Sequence, residues 1–288
     1  MFKSVVHISL GIVFLLFSTS DGALVIEKNA VTSLYEKIES GDTHFSKADQ
    51  NRVFITFGGG SQGYRNRVNI LCKEAKSLDF FTTIIGFTDE DLKKDTDFWN
   101  QHGAFITQNK RGYGYWLWKP YLISKILDCL NENDILVYLD SGCTINPNGI
   151  KRFNEYVDML QNGTESVVAF QMHHLMEKNW TKKKLLEFVD ADDEMRNSGQ
   201  CIGGINMWKK NERSTLISTQ WYAIASHYEF INNSRDPDED AAFIEHRHDQ
   251  SVFSLLVKKY GSIKITDRTS DIDRSENGEP FLATRISR

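Results

Sequence analysis

The chain has 288 residues, 40% hydrophobic and 12% aromatic, which is enough for one large buried core. Its formal net charge is -5 with Lys and Arg dispersed, so no basic face points to nucleic acid. Pro is scarce and no repeat or low-complexity tract interrupts the sequence, which excludes solenoid and disordered classes.

The amino terminus is distinctive. Met1-Phe-Lys3 leads into an apolar run from Ile8 to Phe17, followed by the small and polar residues Ser18 to Ala23. A basic start, a short apolar region and small residues at a cleavage point predict a signal peptide over residues 1–23. The run falls short of the roughly 20 apolar residues that span a bilayer, so no stable membrane span is expected. The implied setting is the lumen of the secretory pathway, or secretion. Three sequons, at Asn162, Asn179 and Asn232, agree with it. The cysteines (Cys72, Cys129, Cys143 and Cys201) show no C-x-x-C spacing, which argues against a zinc site or redox dithiol and leaves disulfides or buried thiols open.

Residues 24–50 read as a lead-in or stem, with a helical phrase from Val31 to Ile38. The folded domain is expected over 51–288. It opens on the β-branched and aromatic strand Arg52 to Phe57, which runs into Gly58, Gly59 and Gly60 and then a helix from about Tyr64 to Lys76. The glycine run formally matches the dinucleotide fingerprint, with Asp89 after the next strand (Phe80 to Phe87) as the ribose acid. Arg65 and Arg67 stand where small residues should pack, which counts against an NAD-dependent oxidoreductase.

A helix over Asp89 to His102 precedes Lys110 to Pro120, where glycines alternate with aromatics and predict a shaped loop. In extended backbone Trp116 and Trp118 would share a face, and such rings suit stacking on a sugar or base as well as wedging the loop onto the core. Lys119 and Arg111 could meet phosphate oxygens. Pro120 fits the first turn of a helix from Tyr121 to Leu130.

The next stretch organises the chain. Ile135 to Leu139 is uniformly apolar or aromatic and ends on Asp140, the pattern of a strand buried on both faces that delivers an acid to a crevice. Asp140 could hold a divalent metal or a ribose, or simply cap the loop. Beyond it, a helix is expected from Gly149 to Leu160 and a strand from Ser166 to Phe170. Adjacent His173 and His174 point apart, so one at most would face a site. Gly203 and Gly204, entering the strand that ends at Trp208, allow a ligand to approach closely. A long helix follows from Glu212 to Phe230. Asp249 and Gln250 open the last helix, over Ser251 to Tyr260, where Asp249 could be only a cap.

Three phrases carry a family resemblance: GYGYWLWKPYLI (112–123), NDILVYLDSGCTIN (133–146), and GGINMWK (203–209) with HDQSVFSLL (248–256). Together they resemble nucleotide-diphospho-sugar transferases of the GT-A type, including polysaccharide-related and glycogenin-like enzymes, over roughly residues 52–288. The resemblance implies an α/β fold with a mainly parallel sheet and helices on both faces. It implies a hexosyltransferase-like enzyme using a nucleotide-sugar donor and a glycan or glycoconjugate acceptor. Asp140, Asp249 and Gln250 would then be catalytic, with Gly58, Gly59, Gly60, Arg65, Trp118, Lys119, Gly203 and Gly204 around the donor. Asp140 would also meet Mn2+ or Mg2+, although Asp140-Ser141-Gly142 supplies one acid where the family's motif is Asp-x-Asp. A rival expectation is a secreted glycan-binding protein with a degenerate transferase fold.

Overall fold

The computed structural model describes residues 24–25, 50–270 and 278–286. The expected signal peptide and the helical phrase at 31–38 lie outside the described residues. The strands, in chain order, are β1 (Leu24–Val25), β2 (Arg52–Gly58), β3 (Thr83–Thr88), β4 (Ile135–Asp140), β5 (Thr144–Ile145), β6 (Val167–Met176), β7 (Gly199–Lys209), β8 (Ile263–Thr266) and β9 (Phe281–Leu282). The central sheet has the order β1-β3-β2-β4-β7-β6-β8, while β5 and β9 form a small antiparallel pair. Neighbours run parallel except at β7, which is antiparallel to both β4 and β6.

The sheet is buried on both sides. Val53, Ile55 and Phe57 of β2, with Leu136 and Tyr138 of β4, pack under the helices Trp118–Cys129, Glu212–Ser226 and Asp249–Lys259. Their alternates Phe54, Ile135, Val137 and Leu139 face the helices Gln62–Lys76 and Ile150–Asn162. Period-two alternation thus feeds two apolar layers, and each fully buried side chain contributes roughly 1.5–3 kcal/mol. The α/β architecture with helices on both faces is the one the sequence predicts. The antiparallel β7 departs from the all-parallel dinucleotide-binding order, which sets the NAD-dependent reading aside.

Several boundaries differ from the sequence reading. Phe80 and Phe81 precede β3 as buried turn residues, with Phe80 stacked on Phe153 at 4.9 Å. The helix expected over Asp89 to His102 is two helices, Asp89–Lys94 and Thr96–Gln108, divided at Asp95, whose carboxylate accepts from the Phe98 N–H. The helix from Glu212 ends at Ser226, and Tyr228–Phe230 form a separate 3-10 turn. All the cysteines are free thiols, and burial pushes Cys72 and Cys129 up to about 12 and Cys201 up to about 11, far from a reactive thiolate. No helix among the described residues is long and apolar enough to cross a membrane.

Candidate active site

Parallel register brings the carboxyl ends of three strands together: Phe57 of β2 pairs with Asp140 of β4, and Gly58 pairs with Thr88 of β3. A cavity of about 870 Å³ opens there. Gly58, Gly59, Gly60, Arg65, Gly204 and Gln250 are among the residues that line it. Gly58 must be glycine, because a Cβ would sit 2.2 Å from the Tyr64 carbonyl oxygen. Arg65 is not a free cation: its guanidinium donates two hydrogen bonds of 2.8 Å to Asp89, and that pairing holds the Asp89 carboxyl below its usual range despite burial. Arg67, which sequence reasoning treated only as an obstacle, has a definite task. It donates to the carbonyls of Ser141 (3.1 Å) and Cys143 (2.8 Å) and so fixes the turn after Asp140.

The aromatic segment is a compact turn, not an extended strand. Tyr113, Gly114, Tyr115 and Trp116 all adopt positive φ, at 53°, 87°, 53° and 60°. The alternation argument for Trp116 and Trp118 therefore fails, because left-handed residues coil the chain. Both rings reach the cavity wall all the same. Trp118 is buried, stacks on Phe57 at 3.9 Å and donates from Nε1 to the Gly112 carbonyl at 3.0 Å, closing the turn on itself. The following helix starts at Trp118, earlier than expected, with Pro120 in its first turn.

Lys119, on that helix, does not reach out to the cavity. Its side chain is 3% exposed, and Nζ lies 2.9 Å from Asp249 Oδ2 and 3.3 Å from Asp140 Oδ1. Tyr138, two residues before Asp140 and on the same face of β4, donates its hydroxyl to Asp140 Oδ1 at 2.5 Å. One oxygen of Asp140 is thus committed to the interior. The other, Oδ2, lies beside Gly204, where a Cβ would come within 2.5 Å of it, and the side chain is 38% exposed to the cavity.

Asp249 is the first residue of the helix Asp249–Lys259 and not its cap, which is His248 at φ 56°. Burial pushes the Asp249 carboxyl up to about 7, against the pull of Lys119 and with a further push from Asp140. Lys119 is itself held above its usual value by the two acids, against burial. A single ammonium can neutralise one carboxylate, and the more buried acid carries the excess. Gln250 lines the cavity: its Oε1 accepts from the Gly203 N–H (3.2 Å) and its Nε2 donates to Gln200 Oε1 (2.8 Å).

A protein-held Mn2+ or Mg2+ fits these residues poorly. Asp140 offers one oxygen, and the position bridging it to Asp249, where a cation would sit, is filled by the Lys119 ammonium. Among the described residues no three His, Cys, Asp or Glu side chains are grouped to hold a metal ion. The nearby histidines are engaged elsewhere. His246 donates to the Phe230 carbonyl and accepts from the Lys182 N–H, while His248 donates from Nδ1 to the Ile231 carbonyl and, although its Nε2 has no partner, does not line the cavity. His173 and His174 are exposed and neither lines the cavity.

Two cavity residues escaped the sequence reading, Arg247 and Arg285. Arg247 stands in the phrase Glu245-His246-Arg247-His248, where a cation beside the start of a helix was the available signal. Arg285 lies in a short basic tail, and only folding brings it back to the centre of the chain.

No protein-family model and no curated protein sequence matches the chain. Three glycosyltransferases are among the solved structures to which it is similar. Mouse xyloside xylosyltransferase 1, in its apo form, is 9% identical over 82% of this chain and 93% of that one, with a TM-score of 0.41. The apo bifunctional glycosyltransferase WbbM is 10% identical over 78% of this chain, which spans only 40% of that protein, with a TM-score of 0.41. A glycosyltransferase involved in glycosylation of the major capsid of PBCV-1 is 13% identical over 80% of this chain and 93% of that one, with a TM-score of 0.39.

Proposed function

We propose that the protein is a glycosyltransferase that moves a sugar from a nucleoside-diphosphate donor to a hydroxyl of a glycan or glycoconjugate. The observation that carries this reading is the meeting, in one cavity at the carboxyl ends of β2, β3 and β4, of a single open carboxylate oxygen on Asp140, the Gln250 amide and a rigid aromatic turn. The three sequence phrases that resemble GT-A-type transferases supply the walls of that same cavity. In this reading Gly58 to Gly60 and the Arg65–Asp89 pair border the nucleoside. Asp140 Oδ2 accepts a hydrogen bond from a ribose or sugar hydroxyl. Gly203 and Gly204 let the transferred sugar lie close to β7, with Gln250 beside it. Asp249 and Lys119 touch no ligand here and act through Asp140, as positioning residues. The apolar segment and sequons support a luminal or secreted setting.

A thermal-shift panel of UDP- and GDP-sugars, with CMP-sugars as monophosphate controls and free glycans alongside, followed by a nucleotide-release assay on any hit, tests the reading. Stabilisation by one donor class with release of its nucleoside diphosphate is the expected result. Stabilisation by free glycans with no response to any donor would instead indicate a glycan-binding protein.

A further inference from the structure

The transfer proposed above leaves a nucleoside diphosphate carrying one more negative charge than the donor did, and that charge must be met. The carboxylates of the cavity cannot meet it, and the buried cations beside them are committed, Lys119 to Asp140 and Asp249 and Arg67 to the carbonyls of Ser141 and Cys143. Three other cations line the cavity without an ion pair among the described residues: the exposed Lys110, and the arginines Arg247 and Arg285. Arg247 lays its guanidinium over the Trp180 ring, 4.3 Å from the centroid, and its Nε is buried with no hydrogen-bond acceptor. Such an unmet charged donor is costly unless a ligand completes it. Arg285 is carried by the segment 283–286, which is pinned beside Asp140: the Ile286 N–H (3.0 Å) and Thr284 hydroxyl (2.8 Å) both donate to the Gly142 carbonyl. Among the described residues neither arginine forms an ion pair. Of the two acids nearest in sequence to Arg247, Glu245 is paired with Arg111 at 2.5 Å and Asp249 with Lys119 at 2.9 Å. Burial depresses the Arg247 pKa, and repulsion from Arg285 and Arg111 adds to it, against the opposing pull of Glu245.

We propose that Arg247 and Arg285 form an anion site for the diphosphate of the donor, so that the leaving charge is met by two guanidiniums of the protein and not by a protein-held divalent ion. The proposal rests on the transferase reading. In the step it serves, the bond from the anomeric carbon to the β-phosphate oxygen breaks and its electron pair stays on that oxygen. A new bond forms from the anomeric carbon to the acceptor oxygen, and the acceptor's hydroxyl proton is released to water. Planar, forked guanidiniums suit the paired oxygens of phosphoryl groups.

The test uses inorganic pyrophosphate as probe, titrated calorimetrically into the full chain in EDTA and again with Mn2+. Wild type is expected to bind in EDTA, with Arg247→Met and Arg285→Met each weakening binding about tenfold or more. Arg152→Met, which removes a half-buried arginine outside the cavity, should leave binding unchanged. Should Arg247→Met fail to fold without its cover on Trp180, the exposed Arg285 carries the test alone. Binding that appears only with Mn2+, or that both variants leave intact, overturns the site. A donor-turnover assay separates the two claims. Arginine-dependent pyrophosphate binding without turnover of any nucleotide sugar sinks the transferase reading and keeps the anion site. Turnover that requires Mn2+ and ignores both variants does the reverse.

Discussion

Lys119 and Asp249 form an ion pair behind Asp140, 2.9 Å apart and both almost wholly buried. The ammonium also lies 3.3 Å from Asp140, so the end of β4 and the starts of two helices are tied at one atom. Removing one partner of a buried pair leaves the other charge uncompensated, which typically costs about 3–5 kcal/mol. Lys119→Met is expected to lose about that much in urea unfolding. A variant within about 1 kcal/mol of wild type would show that the two acids do not depend on this cation.

The same triad predicts a pH dependence. The folded Asp249 carboxyl titrates near 7, above the ordinary carboxylate range, because burial outweighs Lys119. Between those values the folded chain holds a proton that the unfolded chain has released. The contribution of Asp249 to stability is therefore full below the ordinary carboxylate pKa and is lost as pH rises towards 7. Asp249→Asn removes this titration. Melting temperatures of the two proteins, taken from pH 4 to 8, should show the variant gaining on wild type up to about pH 7 and no further. A difference that stays constant over the range would mean Asp249 is ionised throughout.

The two tryptophans of the aromatic turn should separate stability from function. Trp118 is core, stacked on Phe57, and Trp118→Ala is expected to cost about 3–5 kcal/mol, with activity falling only as the fold does. Trp116 is half-buried at the cavity wall, so Trp116→Ala should lower donor turnover more than it lowers the melting temperature. Equal loss of both properties in Trp116→Ala would make that ring a wedge as well.

How far the sequence disclosed this site follows from the range of each signal. The apolar run of β4 ending on Asp140 is local, and it located the strand and the crevice correctly. The glycines beside β2 and β7 were legible for the same reason. The partners of Lys119 were not: its two acids lie 21 and 130 residues further along the chain, and a lysine after an aromatic run reads equally well as a phosphate ligand. Trp116 and Trp118 were misread because consecutive left-handed residues are rare outside glycine, and nothing in the composition announces them. Arg67 looked like a poor fit to a close helix–strand contact, whereas it reaches past the helix to the carbonyls of the Asp140 turn.

Gly204 offers a test of the space around Asp140. A methyl group there would lie 2.5 Å from Oδ2, so Gly204→Ala must turn the carboxylate away from the cavity. Donor turnover is expected to fall at least about tenfold, with the helical circular dichroism signal unchanged. Full activity would show that the orientation of Oδ2 is immaterial.

Asp140→Asn is the most direct test of the whole arrangement. The carboxylate now accepts the Tyr138 hydroxyl and faces Lys119 with Oδ1, and it offers Oδ2 to the cavity. The amide keeps the shape and one accepting oxygen, so the variant should fold. If that oxygen stays with Tyr138, the cavity is presented with an amide donor where a donor hydroxyl expected an acceptor. A hydrogen bond to a charged group is worth about 1.5–3 kcal/mol, so KM for the donor should rise on the order of tenfold to a hundredfold. Added Mn2+ should not restore it, because the lost interaction is to a hydroxyl. The substitution also frees Lys119 to serve Asp249 alone and removes the Asp140 charge that pushes the Asp249 carboxyl up. The pH window of the Asp249 titration should therefore move down in Asp140→Asn. An acid that merely capped the loop after β4 could shift stability, but it would not move donor KM and the Asp249 titration together. A folded Asp140→Asn protein with wild-type KM and an unmoved titration would return Asp140 to architecture.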